Sequence, residues 1–221
     1  MVLNRKAYKW FYDNIHSHYY NLLVKWCFLP FGGEEKCREE LLAPINISPK
    51  DKILDMCCGT GGATISISKK AGKENEIIGM DLSAGQINVA KKRKCFSNIK
   101  FIEGDAASTG LEEMYFDKVF ITHAIHEMPR EIRFKVLTEA KRVLKEEGKV
   151  IILELDNPES ISVRLFIGFW FFYWLPFNFE TPTRRDMLKC GLINEVKEAG
   201  FNNVRKISKY RGIFQIVNGE K

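Results

Sequence analysis

The sequence predicts a doubly wound α/β domain built on a mostly parallel sheet of seven strands. Two observations predict it. From residue 52 onward, short apolar runs alternate with helix-length amphipathic segments. Such alternation calls for parallel strands joined by helices that cover both faces of one sheet. The first three apolar runs also end in acids, Asp55, Asp81 and Asp105. The carboxyl ends of parallel strands open into one crevice, so these carboxylates are expected to crowd a common ligand.

Residues 1–48 read as an N-terminal helical extension, two helices broken near Pro30 and Gly32-Gly33. The extension is rich in aromatic residues, among them Tyr8, Trp10, Phe11, Tyr12, Tyr19 and Trp26. The main domain, 49–221, opens with a strand over 52–56, a small-residue loop and a helix over 61–71. A second strand over 76–81 precedes a helix from Ala84 to Lys94, and a third strand follows over 99–103. The fourth strand is placed at 116–121, its helix at about 130–145 and the fifth strand at 149–154. Residues 159–183 form an insertion holding Leu165 to Phe177, thirteen residues without a charge. A helix from Arg184 to Ala199 comes next. Gly200-Phe201 then begins a hairpin, 202–209 and 212–217, turned at Tyr210-Arg211-Gly212 and expected to add an antiparallel edge.

At 221 residues with 45% apolar content, the chain suits one domain with a full core. The net charge of +6 favours anionic surfaces as partners. Six irregularly spaced cysteines make a poor disulfide framework and fit a reducing compartment. The N-terminus has no continuous apolar run of a signal peptide, so a cytoplasmic location is expected. The charge-free segment is shorter than the roughly 20 residues of a membrane span. It is apolar on every face, which fits a lid over an apolar substrate or a piece resting on a membrane surface. A helix buried in the core is the plainer alternative.

The loop narrows the ligand. Counting from Gly59, a dinucleotide pattern wants a third glycine where Thr64 stands. A phosphate loop would need Gly-Lys-Ser/Thr, which the loop lacks. Three carboxylates would repel a pyrophosphate but attract a ligand bearing a sulfonium and an ammonium.

Ile53-Leu54-Asp55-Met56-Cys57-Cys58-Gly59-Thr60-Gly61-Gly62, with Asp81 and Glu103-Gly104-Asp105-Ala106, resembles the class I S-adenosylmethionine (SAM)-dependent methyltransferases, which are Rossmann-like. The resemblance implies SAM as cofactor and S-adenosylhomocysteine as product. It implies that the glycine loop (Asp55, Cys57, Gly59, Thr60, Gly61) passes the methionine part. Asp81 would hold the ribose hydroxyls and Asp105 the adenine amino group, with Leu82, Ala106 and Thr122 also at the cofactor. Cys57 stands where the family often has glycine. Tyr12-Asp13, Lys141-Arg142-Val143-Leu144-Lys145, Leu153-Glu154-Leu155-Asp156-Asn157-Pro158 and the C-terminal strand resemble the ubiquinone/menaquinone C-methyltransferase (methyltransferase type 11) branch across nearly the full length. That branch carries Gly-Ile-Arg-Asn after the fourth strand, where this chain has Thr122-His123-Ala124-Ile125-His126-Glu127-Met128-Pro129. Quinone specificity therefore does not follow from the likeness.

Methyl transfer chiefly requires alignment and exclusion of water. A base is needed when the acceptor arrives protonated, and His126, His123 and Glu154 are the candidates. No metal site is expected: His123 and His126 have no third ligand at convincing spacing. Tyr8, Phe11, Tyr12 and Tyr19 are expected to close over a small apolar or lipid-like acceptor with Phe169, Trp170 and Tyr173. Peripheral membrane contact is compatible with this. An RNA methyltransferase is disfavoured, since neither Asn/Asp-Pro-Pro-Tyr nor a Pro-Cys dipeptide occurs. An arsenite or thiol methyltransferase would require Cys27, Cys37 and Cys190 to converge. A non-catalytic SAM-fold scaffold would have no need of intact cofactor acids.

Overall fold

The computed structural model describes residues 9–10, 13–14, 17–93, 96–172 and 181–221. Tyr8, Phe11, Tyr12 and Tyr173, expected at the acceptor, lie outside the described residues, as does the side chain of Tyr19.

Helix α1 (Ser17–Phe28) runs into a 3-10 turn at Leu29–Phe31, and α2 is Glu34–Leu42. The break falls at Gly32 and Gly33, with φ +83° and +96°. The main domain then alternates: β1 (Lys52–Met56), α3 (Gly62–Ala71), β2 (Glu76–Asp81), α4 (Ala84–Lys92), β3 (Ile99–Glu103), β4 (Phe116–Thr122), α5 (Arg130–Val143) and β5 (Leu144–Leu155). Helix α6 (Ile161–Ile167) and a π-helical turn (Gly168–Phe172) follow, then α7 (Thr181–Cys190), α8 (Leu192–Glu198), β6 (Asn202–Lys209) and β7 (Phe214–Glu220).

The seven strands form one sheet in the order β3-β2-β1-β4-β5-β7-β6. β1 pairs parallel with β2 and β4, with Asp55 opposite Gly79 and Phe120. Successive strand residues face opposite sides, and both sides are covered. Leu54, Met56, Met80, Ile121 and Ile152 meet α5 through Val136, Leu137 and Ala140. Ile53, Ile77, Phe120 and Ile151 meet Phe28, Leu41 and Leu42 of the N-terminal helices. The N-terminal segment therefore completes one layer of the core.

One expectation changes. The predicted helix from Arg184 to Ala199 is two helices, α7 and α8, because Gly191 takes φ +80° and interrupts the backbone ladder. The C-terminal hairpin adds an antiparallel edge to the sheet, as expected. Within it β7 inserts between β5 and the outermost strand β6, antiparallel to both. Burial decides this: Phe214, Ile216 and Val217 of β7 are buried, whereas β6 carries Arg205, Lys206 and Lys209, and charged side chains suit an edge strand.

Candidate functional site

The site lies at the carboxyl ends of β1, β2, β4 and β5. Cys57, immediately after β1, has φ +62°, so this non-glycine residue holds a left-handed conformation. That is the physical reason a glycine suits this position. Gly61 (φ +79°) begins α3, and a Cβ there would lie 2.6 Å from the Phe101 ring. The loop is tied to β2 by the Cys58 amide, which donates to the Met80 carbonyl at 2.9 Å.

The strand-end acids gather around this loop. Burial pushes the Cys57 thiol well up, and the negative charges of Asp81, Glu127, Asp55 and Asp105 push it further. Glu127, just after β4, is a fourth carboxylate that strand-end spacing did not point to. Asp81 accepts from the Gly59 amide at 2.8 Å and the Ser83 amide at 2.9 Å; burial nevertheless raises its pKa. Asp55 is fully buried, and its Oδ2 accepts from the Thr64 hydroxyl at 2.6 Å. Its Oδ1 is buried without a partner. Burial raises the Asp55 pKa to about 7, opposed by the Thr64 hydrogen bond and the Arg38 guanidinium. The β-branched Thr64 that spoils a dinucleotide pattern thus orients the first acid. Asp105 Oδ1 accepts from the Ala107 amide at 3.1 Å, beside buried Ala106. The buried Thr60 hydroxyl accepts from Arg93 at 3.0 Å.

The N-terminal segment straps the β2 and β3 ends. Lys9 Nζ donates to the Leu82 carbonyl (2.6 Å) and to Glu103 (2.7 Å). Asp13 Oδ1 accepts from the Ser83 hydroxyl (2.6 Å) and the Gly85 amide (3.1 Å). A Cβ on Gly85 would stand 2.6 Å from the Asp13 carbonyl oxygen, so the strap seats on that glycine. Arg38 reaches from α2: its Nε donates to Glu34 at 3.0 Å, and its guanidinium lies 5.2 Å from the Phe28 ring centroid. With Thr122 and His123 it borders a small cavity beneath the loop helix. Sequence reasoning missed Lys9 and Arg38, and met Asp13 only as part of a family likeness.

The two histidines are in different surroundings. His126 is buried, and its Nδ1 lies 2.8 Å from Oε1 of the fully buried Glu154. The His126 amide also donates to Oε2 of Glu154 at 3.3 Å, and the Leu155 amide to Oε1 at 2.7 Å. Burial alone would raise the Glu154 pKa, but His126, His123 and the Leu155 amide together outweigh it and the net direction is down. His123 packs edge-on against Phe28 (5.7 Å) and Phe214 (5.4 Å). Burial lowers its pKa to about 4, so it is neutral and weakly basic near pH 7. The loop carrying His126 is anchored by Arg133, fully buried on α5, which donates to the Met128 carbonyl (2.8 Å), Glu195 (2.5 and 2.8 Å) and Asp186 (2.7 Å). Asp186, Cys190 and Glu195 do come within reach of one ion, but the Arg133 guanidinium already compensates both carboxylates.

In the insertion, Trp170 stacks on Trp26 with ring centroids 4.5 Å apart. Its indole Nε1 is buried without a hydrogen-bond partner. Phe169, expected at the acceptor, is instead exposed to solvent.

A family profile described as the ubiE/COQ5 methyltransferase family matches residues 3–180. The chain belongs to the ubiE/COQ5 methyltransferase family. Demethylmenaquinone methyltransferase of Staphylococcus saprophyticus is 30% identical over 232 residues, 95% of this chain and 97% of that protein. The protein of the same name in Bacillus subtilis (strain 168) is 33% identical over 152 residues, 67% of this chain and 64% of that protein. A SAM-dependent methyltransferase from Aquifex aeolicus shares the fold with a TM-score of 0.68 at 18% identity, over 93% of this chain and 98% of that one. The family makes this protein a SAM-dependent methyltransferase with a Rossmann-like sheet. The site fits that cofactor on its own terms. Gly61 leaves no room for a Cβ, one oxygen of Asp55 is buried without a partner, and the carboxylates that act on Cys57 are negative, as a cationic sulfonium and ammonium require.

Proposed function

We propose that the protein methylates a small lipid-like acceptor that arrives protonated, such as a hydroquinone, with His126 taking the proton. The observation that carries this is the buried His126–Glu154 pair at the ends of β4 and β5. When bound, SAM supplies an electrophilic methyl group on a sulfonium. Asp81 would hold the ribose hydroxyls, Asp105 and Ala106 the adenine, and Asp55 with the loop residues Cys57, Gly59, Thr60 and Gly61 the methionine end. Leu82 and Thr122 would border the cofactor, and Arg38 is placed to meet its carboxylate.

Nδ1 of His126 is committed to Glu154, so proton handling falls to Nε2. As the acceptor's O–H proton moves to Nε2, the Glu154 carboxylate stabilises the imidazolium that forms. The oxygen keeps the O–H bonding pair, and the phenolate oxygen or a ring carbon conjugated with it would take the methyl group, the methyl–sulfur bond breaking to leave neutral S-adenosylhomocysteine; a methylated ring carbon would afterwards lose its own proton. His123, held neutral among aromatic rings, would serve as a wall of the acceptor space. Residues 159–183 would act as its lid with the N-terminal aromatics, and the orphan indole N–H of Trp170 would donate to an acceptor oxygen. An acceptor of this kind would bring the enzyme beside a membrane; no helix among the described residues is long and apolar enough to cross one.

The relatives named demethylmenaquinone methyltransferase favour a quinone nucleus. The replacement of Gly-Ile-Arg-Asn by a histidine-bearing loop favours a different member of that chemical class. Transfer of labelled methyl groups from SAM to a panel of reduced naphthoquinols, benzoquinols and simple phenols tests the reading. Label entering one of these phenolic classes is expected. Label entering only RNA, or only thiols or arsenite, would overturn it.

A further inference from the structure

The segment after β5 is apolar on both sides. On α6, Val163 and Ile167 pack against the core layer that holds Phe31 and Phe214. Ile161, Leu165 and Phe169 recur every four residues along the other side and are 76%, 70% and 58% exposed, with Phe166 beside them at 43%. A helix serving only the core would carry polar side chains there. The end of α1 is built the same way: Val24 and Phe28 are buried, whereas Leu22 and Leu29 are 71% and 61% exposed. The two helices meet. Trp26 stacks on Trp170, and Pro30 and Phe31 share an open groove with Val163, Phe166, Tyr210 and Arg211.

Cations accompany these side chains. Lys25 is exposed, one turn before Leu29 on α1. Arg164 is exposed beside Leu165 and donates to the backbone carbonyls of Pro158 and Glu159, so no carboxylate neutralises it in those contacts. Arg211 is exposed at the groove, held at φ +56°.

We propose that this face, formed by Leu29, Ile161, Leu165, Phe166 and Phe169 with Lys25, Arg164 and Arg211, docks on the surface of an anionic lipid bilayer. Exposed leucine, isoleucine and phenylalanine side chains belong at the boundary of acyl chains and headgroups, and the three cations meet lipid phosphates. The whole chain's charge of +6 adds long-range attraction. Trp170 of the same segment stacks on Phe166 of this face and on Trp26, so docking would bring a membrane-dissolved acceptor beside the segment proposed as its lid. In purpose the proposal rests on the lipid-like acceptor reading, but its test needs no acceptor.

The test is flotation of the full chain with phosphatidylcholine vesicles, with and without about one-third phosphatidylglycerol. The wild type is expected to float with the anionic vesicles and to be released by salt. Ile161→Asn/Leu165→Asn should lower binding by about tenfold or more. Lys25→Gln/Arg211→Asn should abolish the preference for anionic lipid, and Asn tolerates the left-handed backbone at residue 211. All four positions are exposed, so SAM affinity and melting temperature should match the wild type. Wild-type protein that floats with neither vesicle would overturn the proposal, as would variants that float like the wild type. A dimer in gel filtration that Ile161→Asn/Leu165→Asn disperses would assign the face to a second copy instead. Failure of the acceptor panel would leave these outcomes readable, and failure of flotation would leave the panel readable.

Discussion

Replacing Glu154 by Gln keeps the side-chain volume and an oxygen facing His126 but removes the buried charge. The carboxylate lies 2.8 Å from Nδ1. A pair of unit charges about 4 Å apart is worth about 4 kcal/mol at an effective dielectric constant of 20. The net worth of a charge-assisted hydrogen bond is smaller, about 1.5–3 kcal/mol. If the imidazolium forms only as the acceptor loses its proton, that energy belongs to the transition state. Glu154→Gln should then lower kcat by about 10- to 100-fold. His126→Asn, which removes the base, should cost about 10²- to 10⁴-fold. The SAM dissociation constant should stay within about threefold in both. The pH profile carries the sharper signature. A neighbouring carboxylate favours the protonated imidazole, so its removal should move the acidic limb of the rate profile to lower pH. Stopped-time assays with labelled SAM across pH, with melting curves to confirm folding, measure both effects. An unchanged kcat and an unmoved acidic limb in folded Glu154→Gln would refute a base role for the pair and leave it as a structural contact between β4 and β5.

Asp81→Ala should weaken SAM binding by about tenfold or more, because its two oxygens would lose hydrogen bonds worth about 1.5–3 kcal/mol each; unchanged affinity in titration calorimetry would place the ribose elsewhere. Asp55 gives a pH signature. Its pKa is raised from 3.8 to about 7, so SAM affinity should rise as pH increases through about 7 and should be flat in Asp55→Asn. The folded chain binds this proton more tightly than the unfolded chain, so the group's contribution to ligand-free stability is full below pH 3.8 and lost as pH rises toward 7. Arg133→Ala should destabilise the fold by roughly 3–5 kcal/mol, since it leaves buried Glu195 uncompensated; a denaturant midpoint like that of the wild type would show that this network carries little.

Local pattern by itself determined the strands that bear or precede the three acids Asp55, Asp81 and Asp105. β1, β2 and β3 fall where their apolar runs placed them, because a short run with an acid at or next to its end, followed by small or polar residues, carries its own boundaries. The charge argument that pointed to a cationic cofactor was equally legible, since parallel strands gather their carboxyl ends by topology alone. Contacts between distant residues were not legible. His126 and Glu154 are 28 positions apart, and Lys9 and Glu103 are 94 apart. Their meeting depends on β4 lying beside β5 and on the N-terminal strap crossing the β2 and β3 ends. Arg38 sits on a helix whose pattern shows an ordinary charged surface, yet packing against β1 and β4 turns it toward Asp55 and His123. The aromatic segment was legible as apolar all round, but which side faces the core was decided by the stack of Trp170 on Trp26. Periodicity specifies a face only when the other face is polar. Here neither face is, and the tertiary structure made the choice.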